Sequence, residues 1–363
     1  FVLHGLGTEI EREIETSSAT VEATLMVPHP ALWSPQNPNL YELRVELATA
    51  LGVFDRYSLP VGIRTIKVEG GALPLNGEKL TVRGFGLHND MPMVGRGHAR
   101  ADAIKDLALM RWMGANCLRA KGYPPAEEVL DLCDRIGMLV IDETPAAGLI
   151  YAGTGLEKRY HMARQVSKET VARDKNHPSV IMWSLAGEPH SRRAASQLFL
   201  DRMRKDSQEI DKSRPFTVAS MVGLDENAFK VLDVICLDLY PGWESHPGQI
   251  REGMAEFSAA LDNIHEKFAK PVILTEFACE AIPGPHALPT EMWSEEYQAE
   301  VVAAASQVLR SKDYVVGQMS GPLADYKVPQ STAAPMGMCY RGMFTRDRRP
   351  KLAAHSLRTL WRR

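Results

Sequence analysis

Residues 179–189, Ser-Val-Ile-Met-Trp-Ser-Leu-Ala-Gly-Glu-Pro, combine an apolar run with a carboxylate at its end. A run of this kind is typical of a strand that is buried on both faces of a parallel sheet. Residues 272–275, Val-Ile-Leu-Thr, repeat the arrangement and are followed directly by Glu276. Because parallel strands need crossover connections, which are usually helices, the two segments predict an α/β protein.

The sequence around these segments alternates between short apolar strands and amphipathic helices. Apolar residues at helical spacing predict helices at 102–113, 126–136, 194–209 and 295–309. The predicted strands are residues 80–84, 116–119, 138–142, 180–184, 216–220, 234–237, 272–275 and 315–319. Eight strands with intervening helices predict a (β/α)8 TIM barrel over residues 71–363. A doubly wound open sheet has a similar pattern, and periodicity alone leaves both folds open.

Residues 1–70 have the composition of β-structure. β-Branched runs with partial alternation predict strands at 20–27, 41–49 and 56–67. We expect an all-β immunoglobulin-like sandwich, which is short because such domains contain about 100 residues. The first residues, Phe-Val-Leu-His-Gly, lack an initiator Met, so the sandwich is expected to be incomplete at its N-terminus.

The composition excludes several classes of function. The net charge of −3 gives no basic field for nucleic acid or for an anionic membrane, and the basic run at 346–351 is short enough for a surface turn. No apolar run approaches the length of a membrane span, and no signal-peptide pattern is visible, which favours the cytoplasm. The five cysteines are scattered without metal-binding spacing, so we expect neither a disulfide framework nor a zinc site. The sequence implies no metal or organic cofactor. A homo-oligomer remains compatible with the sequence.

Glu188 and Glu276 are the strongest candidates for chemistry. In a barrel, side chains at the carboxyl ends of the strands meet at one mouth, where catalytic groups collect. The spacing between the two residues suits the fourth and seventh strands. Facing carboxyls are the machinery of glycoside hydrolysis, and a retaining enzyme holds them about 5–5.5 Å apart. A carboxylate after an apolar strand can also be a helix cap or an ion-pair partner.

A series of distinctive motifs runs along the chain. They are residues 32–35 (Leu-Trp-Ser-Pro), 61–65 (Val-Gly-Ile-Arg-Thr), 113–116 (Met-Gly-Ala-Asn), 140–145 (Val-Ile-Asp-Glu-Thr-Pro), 174–180 (Asp-Lys-Asn-His-Pro-Ser-Val), 270–276 (Lys-Pro-Val-Ile-Leu-Thr-Glu), 292–298 (Met-Trp-Ser-Glu-Glu-Tyr-Gln) and 342–351 (Gly-Met-Phe-Thr-Arg-Asp-Arg-Arg-Pro-Lys). On these motifs the chain, from about residue 31 onwards, resembles glycoside hydrolase family 2 and, within it, the β-glucuronidases. The resemblance is long and collinear.

The resemblance implies roles for individual residues. Glu188 falls on the family's acid/base and Glu276 on its nucleophile. Arg119 is expected to pair with the nucleophile and keep it ionised, and Arg341 falls where the family holds the carboxylate of a uronic acid. The other substrate-binding candidates are Tyr240, Trp243, His88 and Asp90; ordinary packing or capping is the alternative role for Tyr240, Trp243 and His88.

Other positions depart from the family. Gly187 replaces an Asn that binds the 2-hydroxyl of the sugar, and Gly122 replaces a His. Gly321 replaces a tryptophan platform, while Cys339 and Pro335 replace uronate contacts. Three functions remain open: a retaining exo-hydrolase of β-glucuronides that works by double displacement, a family 2 exo-glycosidase for a galactoside, galacturonide or arabinoside, and a catalytically weak paralogue that binds glycans or has a structural role.

Overall fold

A computed structural model describes residues 1–362, and within them eight parallel strands close into a barrel. This confirms the TIM barrel and excludes the open sheet. The barrel strands are β7 (Val82–Leu87), β8 (Cys117–Ala120), β9 (Leu139–Glu143), β10 (Val180–Gly187), β11 (Phe216–Ser220), β12 (Ile235–Asp238), β13 (Val272–Glu276) and β14 (Val315–Pro322). The glutamate-bearing strands are therefore the fourth and seventh, as the spacing of the sequence predicted.

Helices surround the barrel. Their bounds are α1 (Arg100–Met113), α2 (Glu127–Ile136), α3 (Leu156–Asp174), α4 (Ala194–Gln208), α5 (Ile250–Phe268), α6 (Glu295–Arg310) and α7 (Leu352–Trp361). Helix α2 shows why they pack there: its apolar side chains Val129, Leu130 and Cys133 share one face and are buried in the core. Gly137 ends this helix with φ of 75°, a left-handed conformation that favours glycine.

The N-terminal region forms an antiparallel sheet in the order β2-β1-β3-β4. Its strands are β1 (Val2–Gly5), β2 (Thr8–Glu11), β3 (Tyr41–Thr49) and β4 (Gly52–Val61). The prediction of β3 was correct. The strand predicted at 20–27 was wrong, because within residues 1–362 the backbone of this segment pairs with no other strand and β-propensity alone does not make a strand. The β1–β2 hairpin was missed; Leu6 and Gly7, both at positive φ, form its turn.

Short contacts fasten this region to the barrel. The Trp33 indole is fully buried and donates to the carbonyl of Asp134 at 2.8 Å, and the Arg64 guanidinium donates to the carbonyl of Pro178 at 3.0 Å. Two small hairpins complete the sheet structure, β5 (Pro74–Leu75) with β6 (Glu78–Lys79), and β15 (Tyr326–Lys327) with β16 (Met338–Cys339). The five cysteines are buried and unpaired, and none of the described helices has the length and apolarity to cross a membrane.

Candidate active site

Glu188 and Glu276 lie together at the carboxyl-terminal mouth of the barrel. Glu276 is the last residue of β13, and Glu188 follows β10 directly. Carboxylate oxygens of these two residues and of Asp238, the last residue of β12, all lie within 4.8 Å of one another. Three strands thus bring three carboxylates to one point. Two of them were predicted from the sequence, and Asp238 was not.

Glu188 has an unusual backbone. Its φ is 46°, in the left-handed region that costs a residue with a Cβ about 1–3 kcal/mol. Its amide nitrogen donates to the carbonyl of Ala219 on the neighbouring strand at 2.8 Å, which holds the turn. The side chain remains 36% exposed, whereas that of Glu276 is 2% exposed. The strained turn therefore directs one carboxylate to the solvent side of the mouth, while the other lies at its floor.

Lys121, like Asp238, was not predicted from the sequence as a residue of this site. Its ammonium nitrogen lies 2.9 Å from Oε1 of Glu188 and also forms an ion pair with Oε1 of Glu276. The side chain is only 15% exposed. One signal was available, because Lys121 follows the buried strand β8 just as Glu188 follows β10.

The charge of Lys121 controls the ionisation of Glu276. Burial by itself would raise the pKa of the Glu276 carboxyl, but Lys121 and then Arg119 outweigh it and lower this pKa to about 2. Burial likewise works against the charge of Lys121, yet the attraction of Glu276 and Asp238 keeps the pKa of its ammonium above the ordinary value. Burial is the main cause that raises the pKa of Asp238, to about 7. The floor of the mouth therefore holds an ionised Glu276 against a charged lysine.

Arg119 does not form the expected ion pair with Glu276. Its guanidinium donates to Glu143 at 2.9 and 3.2 Å and lies 3.6 Å from Asp238, fully buried below the mouth. The reason is the two-residue period of a strand: Arg119 and Lys121 point to the same face, and Lys121 is one layer nearer the mouth. Lys121 therefore reaches the carboxylate, and Arg119 acts on the pKa of Glu276 only through its field.

Tyr240 follows strand β12, and its hydroxyl donates to Oε2 of Glu276 at 2.7 Å. The two oxygens of Glu276 thus have different partners, Lys121 on one and Tyr240 on the other. Burial and then the charge of Glu276 keep the pKa of the Tyr240 hydroxyl well above its ordinary value, so this group remains a donor. The arrangement fixes the orientation of the Glu276 carboxylate within the mouth.

Arg341 lies over the ring of Tyr240, with its guanidinium carbon 4.0 Å from the centre of the ring. One terminal nitrogen lies 2.8 Å from Oε1 of Glu244, and Nε lies 3.9 Å from Oε1 of Glu280. Nε is buried and has no hydrogen-bond partner within the described residues. The predicted uronate contact is therefore close to the carboxylates, but two acidic side chains already share its charge.

His88 and Asp90, two of the remaining candidates, have different surroundings. His88 stacks on Tyr326 with ring centres 3.8 Å apart, and its buried Nε2 has no hydrogen-bond partner in the described part of the chain. Burial, followed by the charge of Lys121, lowers the pKa of His88 to about 3, so its ring is neutral. Asp90 accepts two hydrogen bonds from Arg346, at 2.7 and 2.8 Å, and thus ties two loops together.

Trp243, the last of the predicted site residues, packs edge-on against Trp293 with ring centres 4.8 Å apart. The contact joins the segment after β12 to the segment before α6. Packing accounts for what the structure shows of this side chain.

Glu143, at the end of β9, connects two of the positions that depart from the family. It accepts hydrogen bonds from the amide of Gly122 and from the Ser184 hydroxyl, both at 2.8 Å, besides those from Arg119. A Cβ added to Gly187 would lie 2.5 Å from Oε1 of Glu143. In this arrangement Glu143 occupies the space that any side chain at position 187 would need. Gly122 and Gly187 therefore both lie against the carboxylate of Glu143.

The fold and the mouth together define a class: a TIM-barrel protein with paired carboxylates at the ends of its fourth and seventh strands, the arrangement of glycoside hydrolases. The model for the TIM barrel domain of glycosyl hydrolases family 2 matches residues 66–363, and the model named glycosyl hydrolases family 2 matches residues 4–64. The chain belongs to glycosyl hydrolases family 2.

Its relatives include enzymes named β-glucuronidase. The chain is 37% identical to the one from Paenibacillus borealis, over 93% of this chain and 58% of that protein, and 37% identical to the human one, over 96% and 55%. The solved β-D-glucuronidase of Dictyoglomus thermophilum superposes with a TM-score of 0.90 at 35% identity, over 93% of this chain and 60% of that one. The chain thus spans somewhat more than half the length of these relatives.

Proposed function

We propose that this protein is a retaining exo-glycoside hydrolase that acts on β-glucuronides. The observation that carries the proposal is the carboxylate pair, with oxygens of Glu188 and Glu276 within 4.8 Å. An inverting enzyme needs about 6.5–9.5 Å between its carboxyl groups to admit a water molecule. The ionised state of Glu276, with its pKa lowered to about 2, suits a nucleophile.

The mechanism has two displacements. In the first, an oxygen of Glu276 forms a bond to the anomeric carbon while the bond to the leaving oxygen breaks, and Glu188 gives its proton to that oxygen. In the second, Glu188 takes a proton from water, the water oxygen bonds to the anomeric carbon, and the ester bond to Glu276 breaks. Tyr240 stays bonded to the second oxygen of Glu276 and keeps the first one directed at the sugar.

The glucuronide assignment rests on the relatives and on Arg341. A guanidinium beside Tyr240 can bind a carboxylate with two hydrogen bonds. A second candidate is a family 2 exo-glycosidase for a galactoside, galacturonide or arabinoside. The ion pair of Arg341 with Glu244 favours its two uncharged sugars, the galactoside and the arabinoside, because a sugar carboxylate would compete with Glu244 for the same charge. The buried Cys339, in place of a uronate contact, points the same way.

Hydrolysis of aryl β-glucuronide, β-galactoside, β-galacturonide and α-arabinoside decides between the two. We expect the glucuronide to be hydrolysed fastest, with the β-anomer of the sugar released first in the NMR spectrum. Faster hydrolysis of any of the other three substrates would move the function to the second candidate, and initial release of the α-anomer from the glucuronide would exclude retention.

Azide separates the roles of the glutamates. Glu188→Ala should regain activity with azide and give the β-glycosyl azide, because azide takes the place of the attacking water. Glu276→Ala should give the α-azide, because azide then replaces the nucleophile on the other face of the sugar. Glu209→Ala is the control, since Glu209 is 64% exposed and pairs with Lys168 on the surface. The opposite pattern of azide products would reverse the two roles.

A further inference from the structure

Lys121 stands where no substrate-binding group was expected, between the two carboxylates that carry the proposed chemistry. Its ammonium bonds to Oε1 of Glu188 at 2.9 Å and to Oε1 of Glu276. An ammonium has three N–H donors and no acceptor, so both glutamates are acceptors in these contacts. The lysine holds the pair in a form in which neither oxygen facing it carries a proton.

The position of this nitrogen conflicts with that of a sugar. In a double displacement the anomeric carbon lies between the attacking oxygen of Glu276 and the leaving oxygen beside Glu188, with reacting atoms about 3–3.5 Å apart. The Lys121 nitrogen is bonded to both carboxylates across the same gap. A glycoside and this lysine conformation therefore exclude each other, and binding of the sugar requires the ammonium to leave.

The charge of Lys121 also matches the charge that the reaction creates. The transition state of glycoside hydrolysis is oxocarbenium-like, with positive charge at the anomeric centre. In the structure the carboxylates already face a positive charge, so part of the attraction intended for the transition state is satisfied without a substrate. The two other basic side chains near the carboxylates do not supply this charge, because Arg119 pairs with Glu143 and His88 is neutral.

On the basis of the proposed function, we propose that Lys121 determines which ligands this site accepts, as a resident cation that the sugar must displace. Removing its charge opens the subsite. When a sugar displaces the ammonium of Lys121, about one charged hydrogen bond is lost. Without Lys121 this cost is absent, so kcat/KM should rise roughly tenfold to a hundredfold.

The test compares the full chain with its Lys121→Met variant, which keeps the length of the side chain and removes the charge. We expect kcat/KM on 4-nitrophenyl β-D-glucuronide to rise by roughly tenfold to a hundredfold, mainly through a lower KM. Lys121→Arg should stay slow. Lys312→Met is the matched control, since Lys312 is equally exposed at 15% and pairs with Asp262 at 2.6 Å outside the mouth.

Binding by calorimetry gives a readout that does not need turnover. Uronic isofagomine carries a protonated nitrogen at the anomeric position, whereas D-glucaro-1,5-lactone is uncharged there. Both should bind more tightly to Lys121→Met, and the cationic probe should gain more because its nitrogen takes the place of the ammonium. A lysine with only a structural role would not separate the two probes. Lys121→Gln repeats the comparison if the Met variant does not fold.

Each result decides the question. Suppose that the wild type hydrolyses the glucuronide, that removal of Lys121 leaves this activity unchanged or lowers it, and that the cationic probe gains no affinity. The lysine then belongs to the productive site. This proposal would be wrong, while the proposed function would stand. If no variant hydrolyses a glycoside but Lys121→Met gains affinity for the cationic probe, the displacement model holds and hydrolysis does not. If no variant hydrolyses or binds either probe, both proposals fail.

Discussion

Replacing Glu143 with Gln removes the negative partner of a fully buried guanidinium. Arg119 is 1% exposed and Glu143 is 0% exposed, and the pair is joined by hydrogen bonds of 2.9 and 3.2 Å. Removing one partner of such a pair leaves an uncompensated buried charge, at a cost of about 3–5 kcal/mol. Asp238, 3.6 Å from Arg119, balances the charge of the guanidinium only in part, because its carboxylate also interacts with Lys121 and accepts a hydrogen bond from Thr275. We therefore expect the free energy of unfolding to fall by about 3 kcal/mol, the lower end of that range.

Urea unfolding followed by tryptophan fluorescence measures this loss. The chain offers a matched control in Arg202 and Glu157, which form the same two-fold contact at 2.8 and 3.2 Å on the surface. Glu157→Gln should leave the free energy of unfolding unchanged within experimental error, because solvent screens exposed ion pairs. Arg119→Met combined with Glu143→Leu should cost less than the sum of the single changes. A loss below about 1 kcal/mol in Glu143→Gln, or strict additivity in the double variant, would refute the reasoning.

Three further predictions concern the mouth of the barrel. Tyr240→Phe removes the hydrogen bond to Glu276 and should lower kcat roughly tenfold to a hundredfold, with the fold unchanged by circular dichroism; an unaltered kcat would show that the hydroxyl does not orient the carboxylate. Arg341→Ala should reduce activity on a β-glucuronide far more than on the matching β-glucoside, since only the former has a carboxylate, and equal losses would show that Arg341 only supports its loop. His88 has a lowered pKa of about 3, so the unfolded chain binds its proton first as the pH falls: the free energy of unfolding should drop between about pH 6.5 and 3, and His88→Phe should make this slope shallower.

The strands and helices of the barrel were accessible from the sequence because their patterns are local. Strand β11 was predicted at its observed bounds, and β10 and β13 differed only at their carboxyl ends. The segment 20–27 shows the limit of such patterns. Its β-branched residues favour an extended chain, but a strand exists only where another segment supplies hydrogen-bond partners.

The sequence by itself determined that Glu188 and Glu276 stand at the ends of parallel strands, since this depends on chain order and on the two-residue period of a strand. Only the tertiary structure decided which cation reaches them. Arg119 and Lys121 point to the same face of β8, and the closure of the barrel sets the layer at which each side chain meets a carboxylate. The fold brings together residues that are far apart in the chain. Glu143 thereby becomes the partner of Arg119, Glu244 becomes the partner of Arg341, and Lys121 is the cation between the glutamates. Such pairings depend on side-chain reach in three dimensions, which one-dimensional spacing does not contain.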